Sequence, residues 1–459
     1  MQSKEPVVDK IVENHRRKGQ QLVDRVLDHQ AVELNGVVSA FDRKCMRLGK
    51  IFDEGARLAR RLLMCLLQDN LRESTPTYVL KMARSARYFD NLMESMINVD
   101  PHRELIASLR RIVNLHPPVH TCSTSWYFSG LYSGPTSIAF LFYRLSRIFP
   151  DLEFEHQSLL DWAQAYIQLG ARTQKRAPTP NHCGIGNETL AHLALNSILS
   201  QDASLVGKFC SYAENVNSST DDGSNEWLYG RAGYLYLLRL CHEVFSVDRH
   251  PQSAKLLQKT IRETVDRILK VPRPWTWHDK QYLGAAHGSI SIITQVVLSM
   301  PSIAHQLQLL LLELLDSQFP SGNFPSSLPA GSDRLVQFCH GGPGFIISLQ
   351  TLVPFFPEVS GEIDKAINAA RADVWKRGLL TKEPCLCHGI AGNSLALGED
   401  DRFLYFLSFM NSERIEELLQ DATRDNSRAG LFTGEAGRAW CWAVADKGLP
   451  RTCIGYNDI

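Results

Sequence analysis

Apolar residues recur at helical spacing along most of the 459-residue chain. Residues 51–71 and roughly 78–97 have apolar positions three and four residues apart, which is the spacing of amphipathic helices. The prolines at positions 76 and 101 should end these two segments. No turn dipeptide flanked by alternating apolar and polar residues stands out, so signals for β-hairpins are weak. The pattern therefore predicts an all-α protein.

A short element recurs from about Tyr127 onward, in which small or special residues precede a glycine and an apolar helical run follows it. Seven such glycines lie 45 to 58 residues apart, and they are Gly134, Gly184, Gly230, Gly288, Gly341, Gly389 and Gly434. A period near fifty residues fits one helical hairpin per repeat. Each glycine would close a turn before an inner helix, and the polar stretch that follows that helix would form an outer helix.

Seven hairpins can close into a ring, and their glycine turns would then gather at one mouth of that ring. We therefore predict an α/α toroid, a double ring of seven helical hairpins, over residues 121–459. Residues 1–120 are predicted to form an N-terminal helical extension or cap. Side chains beside the glycines should converge at the mouth, although they are far apart in the sequence.

The charge and cysteine content exclude several classes of protein. Lys plus Arg and Asp plus Glu both number 49, so the chain lacks the positive charge typical of nucleic-acid-binding proteins. No apolar stretch approaches 18 residues and none near the N-terminus has signal-peptide length, so we expect no integral membrane segment. The 11 scattered cysteines then indicate free thiols in a reducing cytoplasm. Peripheral membrane association and the oligomeric state are left open.

Histidine directly precedes the glycine in three of the turns, within the segments AAHG, FCHG and LCHG. Two of these histidines, His340 and His388, follow Cys339 and Cys387 at equivalent positions of two repeats. Thiolates and imidazole are ligands that zinc prefers, and the gap of about fifty residues excludes a compact zinc finger. The sequence therefore favours a zinc site, with buried cysteines and hydrogen-bonded histidines as the alternative.

The segments GAAHG, FCHGGPG and WKRGLLTKEPCLCHGIAGN resemble the lanthionine synthetase C-like proteins, and EWLYGRAGYLY and CLCHG resemble the eukaryotic branch most closely. The resemblance runs from about Tyr127 to the C-terminus. It implies an α/α toroid of seven hairpins. It also implies one Zn²⁺ held by Cys339, Cys387 and His388, with a fourth position left for water or a substrate.

The resemblance further implies a reaction. Bacterial members add a thiol to a dehydroamino acid to form lanthionine rings, and eukaryotic members are implicated in adding glutathione to dehydroalanine or dehydrobutyrine in damaged proteins. Glutathione and proteins or peptides that contain dehydroamino acids are therefore the expected partners. His287 matches the family's acid/base histidine, which would stabilise and protonate an enolate.

Four further residues are expected at the mouth. Glu226 and Arg231 flank the third turn and are candidates for a catalytic role beside His287. Lys382 matches a lysine of the eukaryotic members, and Arg424 matches an arginine there approximately. Lys382 and Arg424 would bind the carboxylates of glutathione.

Some features leave other functions open. His340 does not match a family ligand, and Cys385 stands where the family usually has glycine, so neither is expected to bind the metal. The N-terminal residues that help bind glutathione in some relatives have no match here. The alternatives are a lanthionine-forming peptide cyclase, a non-catalytic zinc-containing glutathione-binding or scaffold protein, and an α/α toroid glycoside hydrolase. The last needs two facing carboxylates, and Glu226 has no evident partner at an equivalent turn.

Overall fold

A computed structural model of the chain describes residues 87–91, 99–119, 126–171, 176–218, 224–398, 400–419 and 426–459. These residues belong to one compact unit. The helix predicted over residues 51–71 and the candidate Arg424 lie outside them. The helix predicted over residues 78–97 is wrong at residues 87–91, because Tyr88 forms a β-bridge with Leu380. The amide of Phe89 donates to Leu379 O at 2.7 Å, so tertiary pairing overrides the local helical pattern there.

Each of the seven glycine turns is followed by an inner helix, and the all-α prediction is confirmed. Six of these helices begin at the residue after the glycine. The second begins at Glu188, where the Asn187 side chain caps the helix by accepting from the Leu190 amide at 3.0 Å. The inner helices are α2 (Pro135–Ile148), α4 (Glu188–Ser200), α7 (Arg231–Val244), α9 (Ser289–Ser299), α11 (Gly342–Leu352), α13 (Ile390–Leu395) and α16 (Glu435–Lys447).

The inner helices form a closed cycle. Each contacts the next in chain order, and α16 returns to contact α2. The turns follow the same cycle, because a backbone amide of each turn donates to a carbonyl of the next over 2.8 to 3.4 Å. These bonds run from Leu131 to Ile185, Ile185 to Trp227, Leu228 to Ala286, Ala286 to Cys339, Cys339 to Cys387, Cys387 to Phe432, and Phe432 to Tyr132. The turns therefore share one continuous hydrogen-bonded rim.

Each inner helix packs against an outer helix. The first six partners follow their inner helices in the chain and are α3 (Leu159–Ala171), α5 (Ala203–Ser211), α8 (Pro251–Lys270), α10 (Ala304–Asp316), α12 (Ser360–Arg377) and α14 (Asp400–Ser408). The partner of α16 is α1 (Pro101–Leu115), from the other end of the described chain. The sequence analysis placed this segment in the N-terminal helical extension and read Pro101 as the end of a helix, although proline at the first helical position also starts helices. It did not predict that the segment packs against α16. Asp100 caps α1 through the Arg103 amide.

Several short elements connect these helices. The short α-helices are α6 (Ala213–Val216) and α15 (Ser412–Leu419), and 3₁₀ turns span Pro301–Ile303, Val353–Phe355, Pro357–Val359 and Asn426–Ala429. Two antiparallel strand pairs are present in the described chain: β1 (Glu153–Phe154) with β2 (Gln157–Ser158), and β3 (Gln281–Tyr282) with β4 (Ser327–Leu328). The second pair lies just before the fourth turn and in the connection that leads to the fifth.

A buried ion network joins α1 to α16 and to the sixth turn. Arg111 on α1 lies 3.0 Å from Glu435 on α16, and Glu435 also pairs with Arg438. Arg438 continues the network to Glu383, at 2.9 Å. Burial by itself would raise the pKa of Glu435, but the charges of Arg438 and Arg111 outweigh it and hold the pKa at about 2. The network therefore stabilises the junction where the cycle of helices closes.

The C-terminal segment packs against inner helices and against side chains of the turns. Tyr456 is fully buried, and its ring packs edge-on against Trp227 and Phe338, with centroids 5.3 Å apart in each case. Its carbonyl accepts from Gln295 on α9, and its hydroxyl lies 2.6 Å from Ser348 on α11. Tyr456 therefore joins two inner helices to the aromatic side chains of the third and fifth turns.

Candidate functional site

The two residues before each glycine decide which side chains meet at the rim. Cys339 and Cys387 stand two residues before their glycines, and the Cys339 amide donates to Cys387 O at 3.0 Å. His287 and His388 stand directly before their glycines. A Cβ atom on Gly389 would lie 2.1 Å from the carbonyl oxygen of Glu383, so the turn that carries Cys387 and His388 can close only around glycine.

Two of the predicted metal ligands, Cys339 and His388, act on the pKa of the third, Cys387. A hydrogen bond with Cys339 and then burial raise the pKa of the Cys387 thiol well above its usual range, while a hydrogen bond with His388 lowers it. The Tyr132 hydroxyl donates to Cys387 Sγ at 3.2 Å, and Gln337 Nε2 donates to Cys339 Sγ at 3.2 Å. Hydrogen bonds to sulfur stabilise its thiolate form, which is the form that binds a metal.

This donor set suits zinc by its chemistry, since it consists of two buried thiols and an imidazole that interacts with one of them. Cys339 and Cys387 are both 6% exposed. Across the described ranges, however, no group of three or more His, Cys, Asp or Glu side chains is arranged to hold a metal ion. The residues therefore fit zinc as a donor set, and zinc binding stays a prediction.

A second pair of functional groups lies at the fourth turn. Nδ1 of His287 is 3.0 Å from Oε2 of Glu226, and the Glu226 side chain is almost completely buried. The same carboxylate accepts from the amides of Leu228 at 2.8 Å and Tyr229 at 2.6 Å, and from the Ser224 hydroxyl at 3.0 Å. A carboxylate oxygen accepts hydrogen bonds, so His287 donates to Glu226 from Nδ1, and Nε2 is the ring nitrogen left outside this contact.

Aromatic rings surround the His287 imidazole. Trp277 stacks on it with 4.0 Å between ring centroids and 3° between planes. Tyr229, Tyr282 and His340 lie 5.8 to 5.9 Å from it. Burial, His287 and Lys280 lower the pKa of His340 to about 4, so its imidazole is neutral at physiological pH.

Tyr229 lies close enough to both the Glu226–His287 pair and Cys387 for each group to affect it. Burial raises the pKa of its hydroxyl, and the negative charges that Glu226 and Cys387 can carry raise it further. The amide of Ala286, next to His287, donates to the carbonyl oxygen of Cys339 at 3.3 Å. The thiol–imidazole cluster and the Glu226–His287 pair therefore occupy neighbouring parts of one rim.

The predicted basic residues differ in their placement. Lys382 Nζ donates to Gln337 Oε1 at 3.3 Å, and Gln337 in turn donates to Cys339. Lys382 is therefore linked to the cluster through one intervening side chain. Arg231 is fully buried and donates to Val216 O and Asn225 Oδ1 at 3.0 Å each. These contacts tie the start of α7 to α6 and to the third turn, and a catalytic role of Arg231 stays a prediction.

The sequence analysis did not identify Tyr132, Gln337 or Trp277 as parts of the site. A signal for Tyr132 was present, because it stands two residues before Gly134, as Cys339 and Cys387 stand before their own glycines. Gln337 and Trp277 carry no comparable signal. They reach the rim from connecting segments whose path depends on tertiary structure.

Comparison with known proteins agrees with this architecture. The model of the lanthionine synthetase C-like protein family matches residues 125–439, and the chain belongs to this family. It is 28% identical over 310 residues to the Danio rerio protein named glutathione S-transferase LANCL1, covering 60% of this chain and 71% of that protein. It is 30% identical over 239 residues to the Arabidopsis thaliana LanC-like protein GCL1, covering 48% and 54%.

The family predicted from the glycine turns is thus confirmed, and both relatives are eukaryotic. In the part of the chain that the structure describes, no helix has the length and apolar character needed to span a membrane.

Proposed function

We propose that this protein is a zinc-dependent enzyme that adds the thiol of glutathione to dehydroalanine or dehydrobutyrine residues in proteins or peptides. The observation that carries the proposal is the placement of the Cys339–Cys387–His388 cluster and the Glu226–His287 pair on neighbouring turns of one rim. Addition of a thiol to a conjugated double bond requires both an activated sulfur and a proton donor. The two groups would supply these functions.

Cys339, Cys387 and His388 would hold the metal, and bound zinc would lower the pKa of a thiol donor so that it reacts as a thiolate. The sulfur forms a bond to the β-carbon of the dehydroamino acid, and the π electrons move onto the α-carbon and its carbonyl oxygen. His287 then delivers a proton from Nε2 to the α-carbon. The thiol proton is in effect transferred to carbon, and no oxidant or reductant is consumed.

Glu226 would act through His287. Its carboxylate fixes the proton on Nδ1 and stabilises the imidazolium that serves as the acid. It is already bonded to two backbone amides and a hydroxyl, which suits a positioning role better than the free carboxyl pair of a glycoside hydrolase.

Glutathione as the donor has two lines of support. One relative carries glutathione S-transferase in its name, and Lys382 lies near the cluster through Gln337, where its charge can attract a carboxylate. A glutathione-dependent role also agrees with the cytoplasmic location expected from the sequence.

The deciding experiment is an incubation of zinc-loaded protein with glutathione and a dehydroalanine peptide, followed by mass spectrometry. We expect the thioether adduct to form faster than in the absence of protein, and Cys387→Ala protein to give only the uncatalysed rate. A wild-type rate equal to the uncatalysed one would reject the proposal. A second peptide that carries its own cysteine separates glutathione addition from ring formation, which would appear as cyclisation without glutathione.

A further inference from the structure

A small hairpin before the fourth turn holds Trp277 over His287. The Trp277 amide donates to Lys280 O at 2.9 Å, and the Lys280 amide donates back to Trp277 O at 3.2 Å. The two residues between them, His278 and Asp279, are exposed. The Trp277 ring extends from this hairpin and stacks on the His287 imidazole.

The backbone of this hairpin is unusual. His278 has a φ of 47° and Asp279 a φ of 57°, so both central residues are in the left-handed region. Positive φ at both central positions is the condition of a type I′ turn, which normally contains glycine or asparagine. Left-handed non-glycine residues are uncommon and frequently mark functional sites. Here the turn directs Trp277 toward the rim.

Stacking supplies a constraint that the Glu226 contact lacks. One hydrogen bond at Nδ1 fixes a point of the His287 ring but still permits the ring plane to rock about that bond. A flat indole in parallel contact at 4.0 Å fixes the plane. Together the two contacts determine where Nε2 points.

We propose that the Trp277 hairpin is a positioning element, which holds the His287 ring in the plane that delivers a proton to one face of the acceptor. The catalytic part of this inference rests on the proposed function. The stacking of Trp277 on the imidazole does not depend on the proposed function. It can therefore be measured on protein that has no substrate.

Two pairs of variants separate ring stacking from general packing. Trp277→Phe keeps a flat ring, whereas Trp277→Leu keeps apolar bulk without a flat face. Asp279→Gly suits the left-handed backbone, whereas Asp279→Pro cannot adopt a positive φ and opens the hairpin while Trp277 itself is retained. Because Asp279 is exposed, the second pair is expected to leave the core intact even if Trp277→Leu fails to fold.

The first readout is the histidine ring spectrum of ¹⁵N-labelled zinc-loaded protein, with His287 assigned by its loss in His287→Asn. We expect one sharp ring state with Nδ1 protonated in wild type, Trp277→Phe and Asp279→Gly. Trp277→Leu and Asp279→Pro should give broadened or multiple ring states. An unchanged His287 spectrum in Asp279→Pro would overturn the proposal, whether or not the protein is active.

The second readout is adduct formation. We expect kcat to fall about 10- to 100-fold in Trp277→Leu and Asp279→Pro, the loss typical of a misplaced catalytic group, with the KM for glutathione unchanged. Unaltered kcat in Asp279→Pro would overturn the catalytic part of the proposal. Absence of activity in wild type would reject the proposed function, and the spectrum would still decide whether the hairpin positions His287.

Discussion

Oε2 of Glu226 lies 3.0 Å from Nδ1 of His287 across 61 residues of sequence. The contact joins the third glycine turn to the fourth, and a backbone hydrogen bond from the Leu228 amide to the Ala286 carbonyl oxygen links the same two turns. Both residues were candidates in the sequence. Their pairing, which gives the imidazole a defined tautomer, is a product of the ring.

Replacement of His287 by alanine should slow adduct formation by about 10²- to 10⁴-fold, the usual contribution of a positioned acid/base. Zinc content and glutathione affinity should stay normal, because His287 is not among the predicted ligands. Elemental analysis, glutathione titration and the adduct rate on one preparation test this. A normal rate would show that His287 is a structural residue of the turn.

Glu226→Gln should give a similar loss with the fold retained. The amide group can turn its NH₂ toward Nδ1 of His287 and favour the opposite tautomer, as happens when a triad aspartate becomes asparagine. The kcat should fall about 10²- to 10⁴-fold. A rate close to wild type would mean that the Glu226 side chain is needed only to accept hydrogen bonds from the backbone amides of Leu228 and Tyr229.

Zinc should be present at one ion per chain and should be lost in Cys387→Ala or His388→Ala protein. Removal of one of three ligands leaves too few donors for a stable site. Cys385→Ala is the matched control, because Cys385 is buried two residues away but is not a predicted ligand. Elemental analysis of the purified proteins decides the matter, and full zinc content in both ligand variants would remove the assignment.

Lys382→Ala should raise the glutathione concentration needed for half-maximal rate by roughly three- to tenfold, since a well-formed charge-assisted contact is discounted by the exposure of this side chain. Zinc should remain bound. Lys365→Ala, an exposed lysine on α12, serves as the control. Equal glutathione dependence in the two variants would identify Lys382 as an ordinary surface charge.

The buried Glu435 predicts an acid-sensitive junction. Its pKa in the folded protein is about 2, below the ordinary 4.5, so its stabilising contribution is complete above pH 4.5 and is lost as the pH falls toward 2. The free energy of unfolding should decrease by about 3 kcal/mol over that range from this group alone.

Glu435→Gln should therefore be less stable at neutral pH and should depend less on pH in this window. Urea unfolding at several pH values, with the exposed Glu362→Gln as control, measures both effects. Parallel pH profiles for Glu435→Gln and wild type would contradict the assignment.

Much of the architecture follows from local chemistry in the sequence. A glycine that closes a tight turn and an apolar run that follows it are recognisable one repeat at a time, so seven inner helices and the family could be predicted. The failures concern segments whose conformation depends on distant partners. Residues 87–91 are extended because they pair with Leu379 and Leu380, and α1 is the outer partner of α16, which lies more than 300 residues later.

The sequence by itself determined which residues are candidates for the chemistry, because Cys339 and Cys387 stand two residues before their glycines and His287 and His388 stand directly before theirs. Only the tertiary structure decided how they act together. Closure of the ring brings Tyr132 against Cys387 and Glu226 against His287, and a strained hairpin places Trp277 on the imidazole. These contacts join residues 10, 61 and 255 positions apart, so the spacing of the glycine turns does not encode them.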